Sequence, residues 1–266
     1  MKSRKNYKTI DRPRKKKSLG QHFLRKQSVV DHMISRVKID PETSVLEIGG
    51  GDGFLTKSIL AQTDCKRLWT YEIDPEWVEF LRENINDERY EVKHQNILDL
   101  DFRELESHNP WVLLANLPYQ ITFPIFFLLQ KNRDLFSEGV VMVQEEVAQK
   151  IVATRGKKYS ATSLFLQHFF DFELMEKIEP EAFSPKPKVF SRLIYFKPKF
   201  DQEKIDEEEK FWKFLKSCFM KPRQKLKNNL KATTYDYSNI PEETLSLRAQ
   251  QMAMKDFVEV WAIIKK

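Results

Sequence analysis

Asn116-Leu117-Pro118-Tyr119 sets an amide, a proline and an aromatic ring at the end of an apolar run, Trp111 to Ala115. That grouping suits a pocket for a flat base carrying an exocyclic amine. Methylating such an amine on adenine is hard because its lone pair is delocalised into the ring. A catalyst therefore needs acceptors that hold both N6 hydrogens and turn the lone pair toward a methyl donor. The Asn116 side-chain oxygen and a backbone carbonyl supply them. Pro118 lacks an N–H and biases Leu117 toward an extended conformation, which presents carbonyls to a ligand, and Tyr119 can stack on the base face. Taken alone, the tetrapeptide also reads as a strand running into a proline turn. The rest of the chain decides between the two.

Glu47-Ile48-Gly49-Gly50-Gly51-Asp52-Gly53 holds four of the seven glycines. Closely spaced glycines allow a sharp turn and let a ligand approach without a Cβ in the way. A dinucleotide fingerprint needs glycine where Phe54 stands, so the G-x-G-x-G spacing disfavours a pyrophosphate-binding dehydrogenase. No glycine-rich loop followed by Lys and Ser/Thr is present to grip phosphate. About 20 residues on, Tyr71-Glu72-Ile73-Asp74 closes the next apolar run, and an acid there can accept hydrogen bonds from both ribose hydroxyls. Glu72 alone suits NAD as well as an adenosyl sulfonium. Glu72 combined with the G-x-G-x-G loop and the Asn-Leu-Pro-Tyr tetrapeptide points to the sulfonium, S-adenosylmethionine.

These groups need a scaffold, and the pattern predicts one. Strands are expected over 44–48, 67–73, 90–95, 111–115 and 139–143, and helices over 28–37, 54–62, 75–85 and 123–131. That alternation is the rhythm of a doubly wound, mostly parallel Rossmann-like α/β sheet. Helices over 146–153 and 163–170 follow, and strands over 172–178 and 192–196 are expected to make an antiparallel hairpin at one edge. Residues 201–210 hold six acids and two lysines and read as a linker or an exposed helix start. Helical periodicity without strand signal over 211–218, 224–232 and 255–264 then predicts a small all-α C-terminal domain. The expected division is a basic arm, 1–17, a methyltransferase domain, 18–200, and a helical RNA-recognition domain, 201–266.

The net charge of +6 is unevenly spread. Residues 1–17 hold nine Lys/Arg against one acid, and residues 213–231 hold seven against none, which leaves the remainder at −9. Two concentrated basic segments on an acidic body predict a polyanionic partner touched at particular places. Lys221, Arg223, Lys225 and Lys227 are the candidate contacts with that partner, the RNA-binding residues if it is RNA. Two cysteines far apart, Cys65 and Cys218, give neither a disulfide framework nor a zinc site. The five histidines show no metal-ligand spacing. With no secretory apolar segment and no membrane-length run, a cytoplasmic protein without a metal is expected.

Six motifs in order resemble the ribosomal RNA adenine dimethyltransferases of the KsgA (RsmA) type. They are residues 17–24 (Lys-Ser-Leu-Gly-Gln-His-Phe-Leu), the glycine loop, Glu72, Asn116 to Tyr119, Val143 to Ile151, and the Ala182-Phe183-Ser184-Pro185-Lys186-Pro187-Lys188-Val189 stretch. The resemblance implies that S-adenosylmethionine lies against Gln21, His22, Leu24, Gly49, Gly51, Glu72, Asn96 and Asn116. It implies a catalytic set of Asn116, Leu117, Pro118, Tyr119 and Phe183, with Phe183 and Tyr119 sandwiching the target adenine. It implies action on ribosomal RNA in immature small subunits; a base must leave its stack to reach such a site, so an unpaired adenine is expected as target, and the protein is expected to be a monomer. Two positions depart from the family: Gly50 stands where proline is usual, and Asn96 where aspartate holds the amino group of the cofactor's adenine. A large-subunit adenine dimethylase conferring antibiotic resistance, a non-catalytic RNA-binding assembly factor and a DNA adenine methylase are the alternative readings.

Overall fold

The computed structural model describes residues 13, 16 and 21–265; the rest of the expected basic arm, and residues 17–20 of the opening motif, lie outside them. Among the described residues the strands are β1 (Phe23–Leu24), β2 (Ser44–Ile48), β3 (Arg67–Glu72), β4 (Tyr90–His94), β5 (Trp111–Asn116), β6 (Phe136–Gln144), β7 (Phe170–Ile178), β8 (Phe183–Ser184) and β9 (Ser191–Pro198). Seven form one sheet in the order β4-β3-β2-β5-β6-β9-β7. The first five run parallel, and β9 is antiparallel to both β6 and β7. This is the doubly wound sheet with an antiparallel edge that the sequence predicts.

The helices are α1 (Gln27–Ser35), α2 (Phe54–Gln62), α3 (Pro75–Asn84), α4 (Arg103–Glu106), α5 (Thr122–Lys131), α6 (Glu145–Ile151), α7 (Ala161–Phe169), α8 (Glu208–Cys218), α9 (Leu226–Leu230), α10 (Glu242–Ser246) and α11 (Met254–Ile264). Strand alternation sends successive side chains to opposite faces. On β5, Trp111, Leu113 and Ala115 join one buried cluster, while Val112 and Leu114 join the other. Both faces are therefore apolar, which is why the central strands read as continuous hydrophobic runs.

The chain order reverses at β2. From there it proceeds outward to β3 and β4, then crosses back to β5 and β6 on the other side. Ligands of such sheets bind at this switch, beyond the carboxyl ends of the strands. Register fixes what meets there: Ile48 lies beside both Tyr71 and Ala115. The glycine loop, Glu72 and Asn116 are thus neighbours because their strands end level with one another.

The tail helices build their own apolar cluster around Phe211, Phe214, Phe257 and Trp261, and this cluster includes Tyr159 and Leu164 from the sheet side. Trp212 packs on Phe165 at 4.9 Å between centroids. The acidic stretch becomes helical only from Glu208, and the middle tail helix is shorter than its periodicity predicts, five residues long.

Candidate active site

A cavity of about 390 Å³ opens at the switch point. Its wall includes the glycine loop, Glu72, Ile73, Asn96, Ile97, the tetrapeptide, and Gln21 to Leu24. No lysine or arginine lines it among the described residues, whereas Glu47, Asp52 and Glu72 do. Asp52 is paired with Arg25 (2.7 Å) and Glu47 is buried, so Glu72 is the carboxylate left to a cationic ligand, and a lining without basic groups disfavours a phosphorylated one.

The glycine loop is shaped by left-handed backbone. Gly49 and Gly51 have φ of +76° and +52°, a region that favours glycine. A Cβ on Gly51 would sit 2.5 Å from Phe23 Cε1, so the loop and the opening motif can touch only with glycine there. Gly50 likewise leaves no room: its Cβ would lie 2.6 Å from Thr70 Cγ2.

Glu72 is 5% exposed and holds the loop in place. One carboxylate oxygen accepts from Gly51 N–H (3.0 Å), the other from Asp74 N–H (2.9 Å). Burial pushes its carboxyl above the ordinary range, with these two N–H groups opposing the rise. Asp74 also accepts from Gln21 Nε2 (3.1 Å) and pairs with Lys16 (2.8 Å), and Lys16 N–H donates to Gln21 Oε1 (2.7 Å). The opening motif is thereby fastened across the cavity mouth beside Glu72. Its histidine reaches further, with a ring nitrogen 2.8 Å from the Pro185 carbonyl.

Asn116 ends β5 with its orientation set. Its Nδ2 donates to the His22 carbonyl (2.9 Å), which leaves Oδ1 as the group available to a ligand. The Pro118 carbonyl accepts from Ile121 N–H (3.1 Å) in the short turn that follows, so Leu117 supplies the freer carbonyl. Tyr119 is anchored through its hydroxyl to Ser191 Oγ (2.9 Å).

Two sequence-derived roles change. Phe183 does not line the cavity: its ring is 5% exposed and belongs to the buried cluster containing Leu24 and Met33. The cause is β8, which pairs antiparallel with β1 and sets Phe183 opposite Leu24. The ring facing Tyr119 is that of His22, stacked at 5.9 Å and 25°. Asn96 lines the cavity, but its oxygen accepts from Leu98 N–H (3.1 Å) and its nitrogen donates to Asp99 (2.9 Å), so the amide caps its own turn. An aspartate would spend one oxygen on Leu98 and keep the other as an acceptor for a ligand amine. Here that position carries the donor.

Sequence reasoning missed Glu47 and Ser191. Glu47 is a lone acid inside the buried strand Val45-Leu46-Glu47-Ile48, and that placement was the available signal. Its Oε2 accepts from Thr56 (2.6 Å) and Thr70 (2.7 Å), while Oε1 is buried without a hydrogen-bond partner. Burial raises its carboxyl to about 7 from the ordinary 4.5. Between those values the folded protein keeps a proton that the unfolded chain releases, so stability falls as pH rises from 4.5 to 7. Glu47→Gln should remove that loss. The variant is expected to be more stable than the parent above pH 7 by about 3 kcal/mol, with the gap closing toward pH 4.5 in thermal melts. Equal pH profiles would refute the assignment.

The ribosomal RNA adenine dimethylase family profile matches residues 12–263. The chain belongs to that family. The ribosomal RNA small subunit methyltransferase A of Mycoplasma mobile is 36% identical over 228 residues, covering 85% of this chain and 86% of the relative. That of Francisella tularensis subsp. novicida is 34% identical over 255 residues, covering 92% and 95%. A dimethyladenosine transferase from Plasmodium falciparum shares the fold, with a TM-score of 0.75 at 22% identity over 92% of this chain and 98% of that one. The family resemblance and the fold class read from the sequence are both borne out. Among the described residues no group of three or more His, Cys, Asp or Glu is placed to hold a metal ion, and no helix is long and apolar enough to cross a membrane.

Proposed function

We propose that this protein transfers methyl groups from S-adenosylmethionine to N6 of unpaired adenines in small-subunit ribosomal RNA, giving N6,N6-dimethyladenosine, and that it acts as a cytoplasmic monomer. The observation that carries the reading is the fixed amide of Asn116, whose oxygen is left to the cavity by the bond from Nδ2 to His22. The cofactor suits the cavity chemically. Its walls offer the Glu72 carboxylate and, among the described residues, no basic group to a sulfonium without phosphate. Glu72 would hold the ribose hydroxyls, Gly49 and Gly51 the methionine side, and Ile73 and Ile97 the adenine faces. When bound, S-adenosylmethionine supplies the electrophilic methyl group.

The protein's part is positioning and electrostatics. Asn116 Oδ1 and the Leu117 carbonyl accept the two N6 hydrogens, turn the lone pair out of conjugation, and stabilise the positive charge that develops on nitrogen. The proton then leaves to solvent, and no strong base is required. Burial raises the Tyr119 phenol, and its hydroxyl is engaged by Ser191, so its work is to stack. A base between Tyr119 and His22 needs about 7 Å of ring separation, two van der Waals contacts, so these rings must part by about 1 Å. Only a base outside a duplex can enter. Relatives named for the small subunit favour that substrate over large-subunit RNA.

Incubation with labelled S-adenosylmethionine and immature small subunits, followed by mapping of the modified nucleotides, tests the proposal. Dimethyladenosine is expected, and the absence of label from small-subunit RNA would overturn it.

The RNA would be held by the tail. Lys221, Arg223 and Lys225 are exposed and have no carboxylate within ion-pair distance among the described residues. Buried Asn229 pins this loop, accepting from Lys221 N–H (2.8 Å) and donating to its carbonyl (3.2 Å). Lys227 pairs with Glu242 (3.0 Å) and is partly neutralised. Replacing all four by alanine should weaken RNA binding about tenfold or more and flatten the log–log salt slope by about two to three. An unchanged slope would remove the assignment.

A further inference from the structure

We infer that Ser191 is a positioning residue for the second methyl transfer, acting through the ring of Tyr119. The inference rests on the function proposed above and deepens it. Ser191 is fully buried, opens β9, and pairs with Gln144 of β6 on one side and Ile178 of β7 on the other. It is therefore fixed by two strands of the sheet. Its Oγ lies 2.9 Å from the Tyr119 hydroxyl, 72 residues away in sequence. The Tyr119 ring is consequently held at both ends: at its foot by the turn that follows Pro118, and at its tip by the sheet. A phenylalanine in that place would keep the foot and lose the tip.

The two methyl transfers depend differently on that ring. In the first, adenine N6 carries two hydrogens, and Asn116 Oδ1 and the Leu117 carbonyl each take one. Stacking on Tyr119 adds to two directional contacts. After the first transfer one hydrogen has been exchanged for a methyl, its proton having gone to solvent, and only one of those contacts survives. The base is free to tilt about the remaining hydrogen bond unless the stacking face itself is fixed. The Ser191–Tyr119 bond fixes it. A loosened ring thus costs little in the first transfer and much more in the second, because displacement reactions need the reacting atoms aligned within narrow limits.

Removing the hydroxyl from either end should have the same consequence. Ser191→Ala and Tyr119→Phe are each expected to leave RNA KM near the parent value and to stay folded, with Tm lowered by a few degrees for the one buried hydrogen bond removed. Each should slow the second transfer about tenfold while slowing the first two- to threefold, so that N6-monomethyladenosine accumulates in single-turnover reactions on immature small subunits. The double variant should be no worse than either single one, because both remove one bond. Nucleoside analysis by mass spectrometry reads both products at once. A parent-like ratio of monomethyl to dimethyl product in Ser191→Ala overturns the inference, as does a multiplicative loss in the double variant. Should Ser191→Ala fold poorly, Tyr119→Phe, which leaves Ser191 in place, gives the same reading through the product ratio. If the parent protein itself yields no dimethyladenosine, the proposed function falls and this inference with it. A parent that dimethylates, beside variants with an unchanged ratio, overturns this inference alone.

Discussion

Asn116→Ala should lower the single-turnover rate of methyl transfer by about a thousandfold while changing RNA affinity little. The side chain has two jobs divided between its two atoms. Nδ2 is spent on the His22 carbonyl, 94 residues earlier in the chain, and this bond decides that the oxygen faces the cavity. Oδ1 then meets an amine whose nitrogen gains positive charge as it reacts. The contact is stronger in the transition state than in the ground state, so its loss appears in kcat rather than in substrate KM. Asn116→Asp is a sharper test because it keeps an acceptor of the same size. Its second oxygen would face the His22 carbonyl at about the 2.9 Å now spanned by a hydrogen bond, and two acceptors at that range repel. The aspartate is therefore expected to swing away and to lose most of the activity as well. A rate within tenfold of the parent in either variant, measured with labelled cofactor on immature small subunits, would sink the role given to Asn116. An unchanged thermal melt checks that the variant is still folded.

Much of the scaffold was legible because parallel strands buried on both faces announce themselves as apolar runs. The run over 44–48 and the helix over 54–62 match β2 and α2 residue for residue. β6 begins three residues before its expected start, because Ser137 and Glu138 interrupt the apolar pattern. Glu138 is polar for a tertiary reason: it accepts from the Tyr195 hydroxyl at 2.6 Å and from Lys38 N–H at 2.6 Å, partners that no local window contains. β1 and β8 were invisible for the same kind of reason. They are two residues each, too short for any period, and exist because residues 23–24 meet residues 183–184.

Residue types at the site were readable, but their directions were not. Phe183 has the right chemistry for a base clamp, and the strand pairing turns its ring into the core. Lys227 counts as one of seven positive charges in its segment, and only the fold brings Glu242 to it. The Asn96 departure reads as a small loss of charge in sequence; the structure shows the larger effect, since the amide is consumed by its own turn.

Glu72→Gln should weaken cofactor binding about a hundredfold and lower Tm by several degrees, although it changes one atom. Each carboxylate oxygen of Glu72 accepts a backbone N–H, from Gly51 on one side and Asp74 on the other. A glutamine has one acceptor and one donor, so either orientation sets an NH₂ against a buried N–H. The unmade bond alone costs about 1–3 kcal/mol, and it falls on the glycine loop that must lie against the cofactor. The charge is lost too, and with it the acceptor for one of the two ribose hydroxyls. Charge-assisted hydrogen bonds are roughly twice as strong as neutral ones, which brings the combined loss to roughly 3 kcal/mol, the equivalent of about a hundredfold in affinity. Calorimetric titration with S-adenosylhomocysteine measures this without requiring turnover. The kinetic signature should also differ in kind from that of Asn116→Ala, because saturating S-adenosylmethionine ought to restore much of the rate when only binding has been impaired. Affinity within threefold of the parent would show that Glu72 braces the loop without holding the cofactor. A rate that stays low at saturation would place it in the chemical step instead.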